Sequence, residues 1–185
     1  RERSRVGGEA EKAVSAMSVL KYALRWRSPA GPAARLSVLI FHRVLPAPDP
    51  LFPDELCARH FDLQCAWMKR WFNVLPLDQA VAQLKMGSLP ERAACISFDD
   101  GYADNYQVAV PILKRHGLSA TFFIATGYLD GGCMWNDVLI EAIRGCALPV
   151  LDAGALGLGV HPVASMADKR QAIVALIQQC KYRSE

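Results

Sequence analysis

Two adjacent carboxylates, Asp99 and Asp100, directly follow an apolar run and precede Gly101. Two carboxylates at the end of a buried strand are unfavourable, because they repel each other and lose hydration. A divalent cation, an arginine or a histidine nearby lowers that energetic cost. One aspartate can then ligate a metal while its neighbour takes a proton from a water molecule, which is the chemistry of metal-assisted hydrolysis.

The same residues also have a purely structural interpretation. Asp-Asp-Gly is typical of tight turns, and an aspartate can cap a following helix. A second polar pair, His42 and Arg43, closes another apolar run, Leu36–Phe41. The remaining histidines are isolated and show no metal-ligand spacing; they are His60, His116 and His161. Taken alone, these residue types leave both interpretations open.

Apolar runs that alternate with helical patterns must position these polar groups. The predicted strands are residues 36–41, 72–77, 93–98 and 120–126. The predicted helices are residues 54–71, 103–116, 137–146 and 168–182, with another between Asp78 and Gly87. Buried strands that alternate with helices indicate an α/β fold with a mostly parallel sheet, and both a barrel and a doubly wound sheet fit the pattern. In either fold, polar residues at the carboxyl ends of strands are well placed for chemistry.

Composition narrows the class of protein further. The chain has 185 residues, of which 52% are hydrophobic and 21% charged, and this excludes a disordered charged tail. A net charge of +3 gives no nucleic-acid footprint. No apolar run approaches the ~20 residues of a transmembrane helix, and no stretch resembles a signal peptide, so the sequence is compatible with both a cytoplasmic and an exported protein. The six cysteines include no Cys-x-x-Cys pair, which excludes a zinc ribbon.

Two segments resemble the polysaccharide deacetylases, the family of the NodB-homology domain (carbohydrate esterase family 4). Ile96–Leu129, ISFDDGYADNYQVAVPILKRHGLSATFFIATGYL, is similar to the first catalytic motif of the family and the βαβ unit after it. Within it, Ser97–Gly101 match the signature Thr/Ser-Phe-Asp-Asp-Gly. Leu36–Pro46, LSVLIFHRVLP, resembles the opening strand of the family with its strand-end histidine. The resemblance covers about residues 36–145.

The resemblance implies a metal-dependent polysaccharide deacetylase, a hydrolase that acts on the non-peptide carbon–nitrogen bond of N-acetyl groups in amino-sugar polymers. It assigns the general base to Asp99 and a ligand of a divalent metal, Zn²⁺ or a similar ion, to Asp100. His42 and Tyr102 would lie on the substrate side of the same pocket. The implied fold is part of an irregular (β/α)7 barrel of the glycoside hydrolase/deacetylase type, with about four parallel strands plus extra helices.

The chain departs from this family in its metal motif. No His-x-x-x-His pair follows Asp100, because His161 has Ser165 four residues later. Zinc takes three protein ligands and an open position, so a single aspartate leaves the site incomplete. We therefore predict an N-terminal arm (1–35), the N-terminal part of a deacetylase barrel (36–130) and a helical insertion (131–185). We expect weak or absent catalysis from this chain alone.

An incomplete barrel also has consequences for partners. A parallel edge without a neighbouring strand would promote self-association. A polysaccharide is the substrate that the resemblance implies, and no nucleic-acid partner is expected. Two further possibilities are a non-catalytic glycan-binding or assembly module that kept the pocket, and a fragment with no independent function.

Overall fold

The computed structural model describes residues 22–181, which divide into two units. The first unit comprises the described residues up to Pro46 together with Leu56–Ile124. The second unit comprises Ala47–Glu55 together with the described residues from Ala125 onwards. Of the arm predicted over residues 1–35, residues 1–21 lie outside the described part; residues 22–27 are helical, and Gly31–Ala33 form a 3₁₀ turn.

The sheet of the first unit is parallel and centred on one buried strand. Its strands are β1 (Ser37–Phe41), β2 (Asn73–Val74), β3 (Ala93–Phe98) and β4 (Thr121–Phe122). All three of the other strands pair with β3 in parallel, β1 along its whole length and β2 and β4 over two residues each. Every residue of β3 is buried, which is why it reads as a continuous apolar run rather than an alternating one. The predicted parallel α/β sheet is confirmed.

Helices cover this sheet with residues at helical spacing. They are α1 (Ala58–Trp71), α2 (Leu77–Lys85) and α3 (Val110–His116), and a π-helical turn, Asn105–Ala109, leads directly into α3. The buried residues of α1 are Phe61, Cys65 and Met68, at spacings of four and three. Gly117 ends α3 in the left-handed conformation, as its position after the predicted helix suggests.

Four phenylalanine rings pack together beneath the carboxyl end of the sheet. The Phe98 ring has its centroid 5.3 Å from that of Phe41, 5.7 Å from that of Phe61 and 5.0 Å from that of Phe122. These rings come from three strands and from α1, so a single contact set ties most elements of the unit together. The cluster lies directly below the positions where the strands end and the polar residues begin.

The outer edge of the sheet is β1. Among the described residues its only strand partner is β3, and Val38 and Ile40 are 47% and 60% exposed. Apolar side chains at both positions are typical of a strand whose two faces are both covered by other elements. This is the edge on which the expectation of self-association rests.

The second unit has a different architecture. It contains α4 (Trp135–Gly145), β5 (Val150–Asp152), β6 (Val160–Pro162) and α5 (Met166–Cys180). The two strands form an antiparallel hairpin, so residues 131–185 are not purely helical as predicted. The hairpin was missed because its glycine- and alanine-rich sequence lacks the alternation that marks a strand. The buried apolar core of this unit is Leu51, Ile143, Val163, Ala172, Ile173 and Leu176.

Three sets of polar contacts in the second unit involve charged side chains. The Arg144 guanidinium donates two hydrogen bonds to the Asp49 carboxylate, at 2.9 and 2.7 Å. These bonds, more than any other contact, hold the pKa of Asp49 below its ordinary value, against the opposing effect of burial. Lys169 Nζ donates to the carbonyls of Arg144 and Cys146, each at 2.8 Å, at the end of α4. Ser165 and Asp168 form a capping box at the start of α5.

Several predicted boundaries differ from the observed ones. The strands expected over 72–77 and 120–126 are each only two residues long, because only those residues pair with β3. The helix expected over 54–71 begins at Ala58, and the last helix begins at Met166 and ends at Cys180. In the part of the chain that the structure describes, no helix is long and apolar enough to cross a membrane.

Candidate functional site

The parallel register of β1 and β3 brings two polar strand ends to one edge of the sheet. Phe41 pairs with Phe98, so His42 and Asp99 are the next residues on neighbouring strands. The Asp99 N–H donates to the Phe41 carbonyl at 2.9 Å, which extends the pairing past the last strand residue. His42 is exposed and Asp99 is partly exposed, so both are accessible at this edge. Two of the predicted site residues are therefore neighbours by backbone geometry.

Asp100 occupies the centre of a tight and strained turn. The Gly101 N–H donates to the Asp99 carbonyl at 2.9 Å, and the φ of Asp100 is +70°. A hydrogen bond that spans three residues with this φ matches the rare form of the γ-turn. L-residues seldom adopt a positive φ, and aspartate tolerates it better than most. Such strain persists where the surrounding structure enforces it, and it clusters at functional sites.

Gly101 continues the left-handed path and allows a close approach. Its φ is +74°, and a Cβ at this position would lie 3.0 Å from Cγ2 of Ile124. Residue 124 follows β4, so the turn after β3 packs tightly against the end of a neighbouring strand. The signature glycine is thus required here both by its backbone conformation and by the lack of space.

Neither carboxylate of the pair is engaged by the protein. Asp99 and Asp100 are both partly exposed, and within residues 22–181 neither side chain forms a hydrogen bond or an ion pair. A capping role for either side chain would require such a bond to a backbone N–H. The structural interpretation of Asp-Asp-Gly as a helix cap therefore fails in this part of the chain, although its interpretation as a turn is correct. Four lone-pair-bearing oxygens remain available to a proton donor or a cation.

The segment after the turn carries a buried aspartate that the sequence analysis did not single out. Asp104 is 8% exposed, and its Oδ2 accepts a hydrogen bond from Arg43 Nε at 2.9 Å. Its Oδ1 accepts one from the Val44 N–H at 3.2 Å. Arg43 Cζ lies 4.5 Å from the centroid of the Tyr102 ring, within the range of a cation–π contact. Tyr102 is thus connected to the residue that follows His42.

A buried amide follows directly in the π-helical turn. Asn105 is 3% exposed, and neither its Oδ1 nor its Nδ2 has a hydrogen-bond partner among the described residues. An unsatisfied buried amide is unfavourable by roughly 1–3 kcal/mol. Single π-helical turns are frequent at functional sites. In hindsight, the sequence offers one signal for Asp104 and Asn105. Both are polar residues at the start of a predicted helix, on the side of that helix that has to face the sheet.

The described residues do not fit a complete metal centre. Within residues 22–181 no three His, Cys, Asp or Glu side chains converge on a position where they could hold a metal ion. Three histidines have other partners: His60 contacts Cys57, His116 contacts Asp62, and His161 contacts the Leu158 carbonyl. Zinc needs more donors than the Asp99–Asp100 pair supplies. We therefore derive no catalytic step through a metal from these residues.

The match with known proteins agrees with the strand-end geometry. Residues 86–174 match the family model described as polysaccharide deacetylase. This range includes β3, the Asp99–Gly101 turn and α3. Residues 86–174 are therefore similar to the polysaccharide deacetylase family over about half of the chain.

Two curated relatives are similar in sequence to this chain over part of their length. A putative polysaccharide deacetylase, YxkH, of Bacillus subtilis is 32% identical over 93 residues, which are 49% of this chain and 32% of the relative. A poly-beta-1,6-N-acetyl-D-glucosamine N-deacetylase of Staphylococcus aureus is 37% identical over 70 residues, 37% of this chain and 24% of the relative. The chain thus spans a third or less of the length of these curated relatives.

Solved structures give a partial match. A de-N-acetylase from Aggregatibacter actinomycetemcomitans is 33% identical, with a TM-score of 0.44, over 52% of this chain and 40% of the other.

Proposed function

We propose that the carboxyl edge of the parallel sheet is the active-site edge of a polysaccharide deacetylase that hydrolyses N-acetyl groups of an amino-sugar polymer. The observation that carries the proposal is the unpaired Asp99–Asp100 pair, with Asp100 held at a φ of +70°. If Asp100 served only the turn, glycine at that position would be more stable, because glycine adopts a positive φ without strain. The match of residues 86–174 with the polysaccharide deacetylase family model supports the same chemistry.

The proposed reaction assigns a distinct step to each group. Asp99 takes a proton from a water molecule, and the water oxygen attacks the carbonyl carbon of the acetyl group. The carbonyl oxygen gains negative charge, and in this proposal the Tyr102 hydroxyl donates a hydrogen bond to it. The carbon–nitrogen bond then breaks, the amine nitrogen takes the proton back, and acetate and a free amino sugar result. His42, at the end of β1, contacts the substrate.

Among the residues of this proposal, only Asp100 is assigned to bind a divalent cation. Such an ion, if bound with further ligands, would supply polarisation of the acetyl carbonyl and activation of a water molecule. Asp100 would be one ligand, and the remaining protein donors would come from outside residues 22–181. For this reason we expect the 185-residue chain alone to show weak turnover or none. The four parallel strands would then be part of an irregular (β/α)7 barrel.

The test measures binding and acetate release together. The probe is an oligomer of β-1,6-linked N-acetylglucosamine, the unit that the S. aureus relative is named for, with its fully deacetylated form as the control. We expect the chain to prefer the acetylated oligomer. We also expect any acetate release to disappear in Asp99→Asn, because this variant lacks the proposed general base. Rapid, chelator-sensitive turnover would contradict the expected weak activity but not the deacetylase assignment.

The same data distinguish the glycan-binding module. That alternative predicts equal binding of both oligomers, unchanged by Zn²⁺ or a chelator and unaffected by Asp99→Asn. This result would contradict the proposed deacetylase function. Lack of binding to either oligomer would contradict both functions.

A further inference from the structure

Asp104 connects the ends of two neighbouring strands. It lies after β3 and its turn, while the groups that it contacts follow β1, about sixty positions earlier in the chain. One carboxylate oxygen accepts from the Arg43 side chain and the other from the backbone of Val44. The side chain and the backbone of the segment after His42 are therefore both fixed by one residue.

The environment of Asp104 makes this contact strong. Its side chain is only 10% exposed, whereas that of Arg43 is 40% exposed. A carboxylate so deeply buried is unfavourable unless it is paired and hydrogen-bonded, and both conditions are met here. Since the Val44 N–H is itself a buried group, removal of the carboxylate would leave two polar groups without their partner.

The guanidinium of Arg43 contacts both Asp104 and the ring of Tyr102. It is hydrogen-bonded to Asp104 through Nε and lies 4.5 Å from the centroid of the Tyr102 ring. A planar guanidinium can make both contacts because one edge donates while one face stacks. The ring of Tyr102 therefore contacts the same guanidinium that is hydrogen-bonded to the buried Asp104 carboxylate.

We propose that Asp104 is a positioning residue of the candidate site: through Arg43 and Val44 it fixes His42 and Tyr102 relative to the Asp99–Asp100 pair. This inference rests on the proposed function, because positioning has a catalytic meaning only if those residues act on a substrate. The contacts that carry it are nevertheless properties of the fold and can be tested without a substrate.

The main test compares Asp104→Asn with a matched control in the same unit. Asp62→Asn is that control, because Asp62 also pairs with an arginine and a histidine, Arg115 and His116, but on the helices α1 and α3. Backbone and aromatic-ring NMR spectra of both variants are compared with the wild type. We expect Asp104→Asn to shift the signals of His42, of the 99–101 turn and of the Tyr102 ring, and Asp62→Asn to leave them in place. Shifts confined to residues 43, 44 and 104 would overturn the proposal.

A second variant separates charge from geometry. Arg43→Lys keeps the positive charge but removes the planar group that bonds Asp104 and stacks on Tyr102 together. We expect the Tyr102 ring signals to shift in this variant, while the Val44 amide signal stays close to its wild-type position. If Asp104→Asn does not fold, Arg43→Lys takes its place in the comparison with Asp62→Asn. An unchanged Tyr102 ring in Arg43→Lys would contradict the role of Arg43 in the proposal.

The kinetic readout separates this inference from the function on which it rests. Where acetate release is measurable, Asp104→Asn should lower kcat about tenfold and change KM by less than about twofold, because misplaced groups weaken the chemical step more than the binding. An unchanged kcat with shifted NMR signals would overturn the positioning role. A wild-type chain that neither binds nor hydrolyses the acetylated oligomer contradicts the proposed function, and the NMR comparison then decides whether Asp104 fixes the two strand ends.

Discussion

Two sets of charged residues, one in each unit, differ in whether their side chains have partners. In the second unit Asp49 is bonded to Arg144, and Lys169 and Asp168 each satisfy a helix end. In the first unit, the side chains of Asp99 and Asp100 at the end of β3 have no hydrogen-bond or ion-pair partner among residues 22–181. Charges of the first kind stabilise the fold that holds them, whereas charges of the second kind lower its stability. The proposed catalytic role of the strand-end carboxylates accounts for this difference.

The backbone shows the same contrast. In the described part of the second unit only glycines have a positive φ. In the first unit Asp100 has a φ of +70° and Arg92 a φ of +52°. The Arg92 guanidinium donates to the Trp71 carbonyl at 3.1 Å, so the strained residue contributes a bond to the fold. Asp100 has no such bond within residues 22–181, so its strain is not offset by its own side chain.

The largest expected effect is the loss of the ring cluster under the strand ends. Phe98→Ala should lower the free energy of unfolding by about 3–5 kcal/mol, because a fully buried ring is replaced by a cavity. Native-state hydrogen exchange should show the loss in the amides of the first unit. Ile173→Ala, in the core of the second unit, is the matched control and should act on the amides of α5. If either variant lost protection against hydrogen exchange equally in both units, the two cores would not be separate, and the comparison between the units would be contradicted.

A smaller effect is expected from the main charge pair of the second unit. Asp49→Asn should lower the free energy of unfolding by about 1–3 kcal/mol, because the partly buried Arg144 loses a bidentate partner. Denaturant unfolding measures this change. The Asp49 pKa lies below its ordinary value, so the contribution of the pair is complete above about pH 4 and is lost as the pH falls through the folded-state pKa. The variant should therefore lose less stability on acidification than the wild type, and identical acid dependence would refute this role.

The smallest expected effect has the opposite sign. Asp100→Gly should raise the free energy of unfolding by about 1 kcal/mol, because glycine adopts a positive φ without strain. Asp99→Gly is the control; it should destabilise, since glycine loses more conformational freedom on folding and Asp99 is not among the residues with positive φ. Thermal unfolding of both variants provides the measurement. A destabilised Asp100→Gly would mean that the carboxylate supports the fold, and the contrast between the units would then weaken.

Much of the first unit could be predicted from sequence because its strands are apolar throughout. The predicted strands agree with Ala93–Phe98 and Ser37–Phe41 to within a residue, since each is a short continuous apolar run that polar residues end. The short pairings of β2 and β4 could not be predicted. Their extent depends on where β3 offers a partner, which is a tertiary property rather than a local one.

The site was predictable only where chemistry and strand ends coincide. His42, Asp99 and Asp100 follow apolar runs directly, and a parallel register then brings them to one edge. The Arg43–Asp104 bond joins residues 61 positions apart, and no local pattern indicates such a contact. The positive φ of Asp100 was only suggested by the Asp-Gly step, which is common in turns of several kinds.

The space between Gly101 and Ile124 restricts how this segment can diversify. Even one added methyl group at position 101 would collide with a branched side chain whose own backbone is also in close contact. Under the proposed function, a new specificity at this edge would arise from substitutions at Tyr102 or beyond the turn, or from a shorter residue at position 124. Directed libraries aimed at a different acyl group would do best to leave the glycine untouched and to vary Ile124 and Tyr102 together.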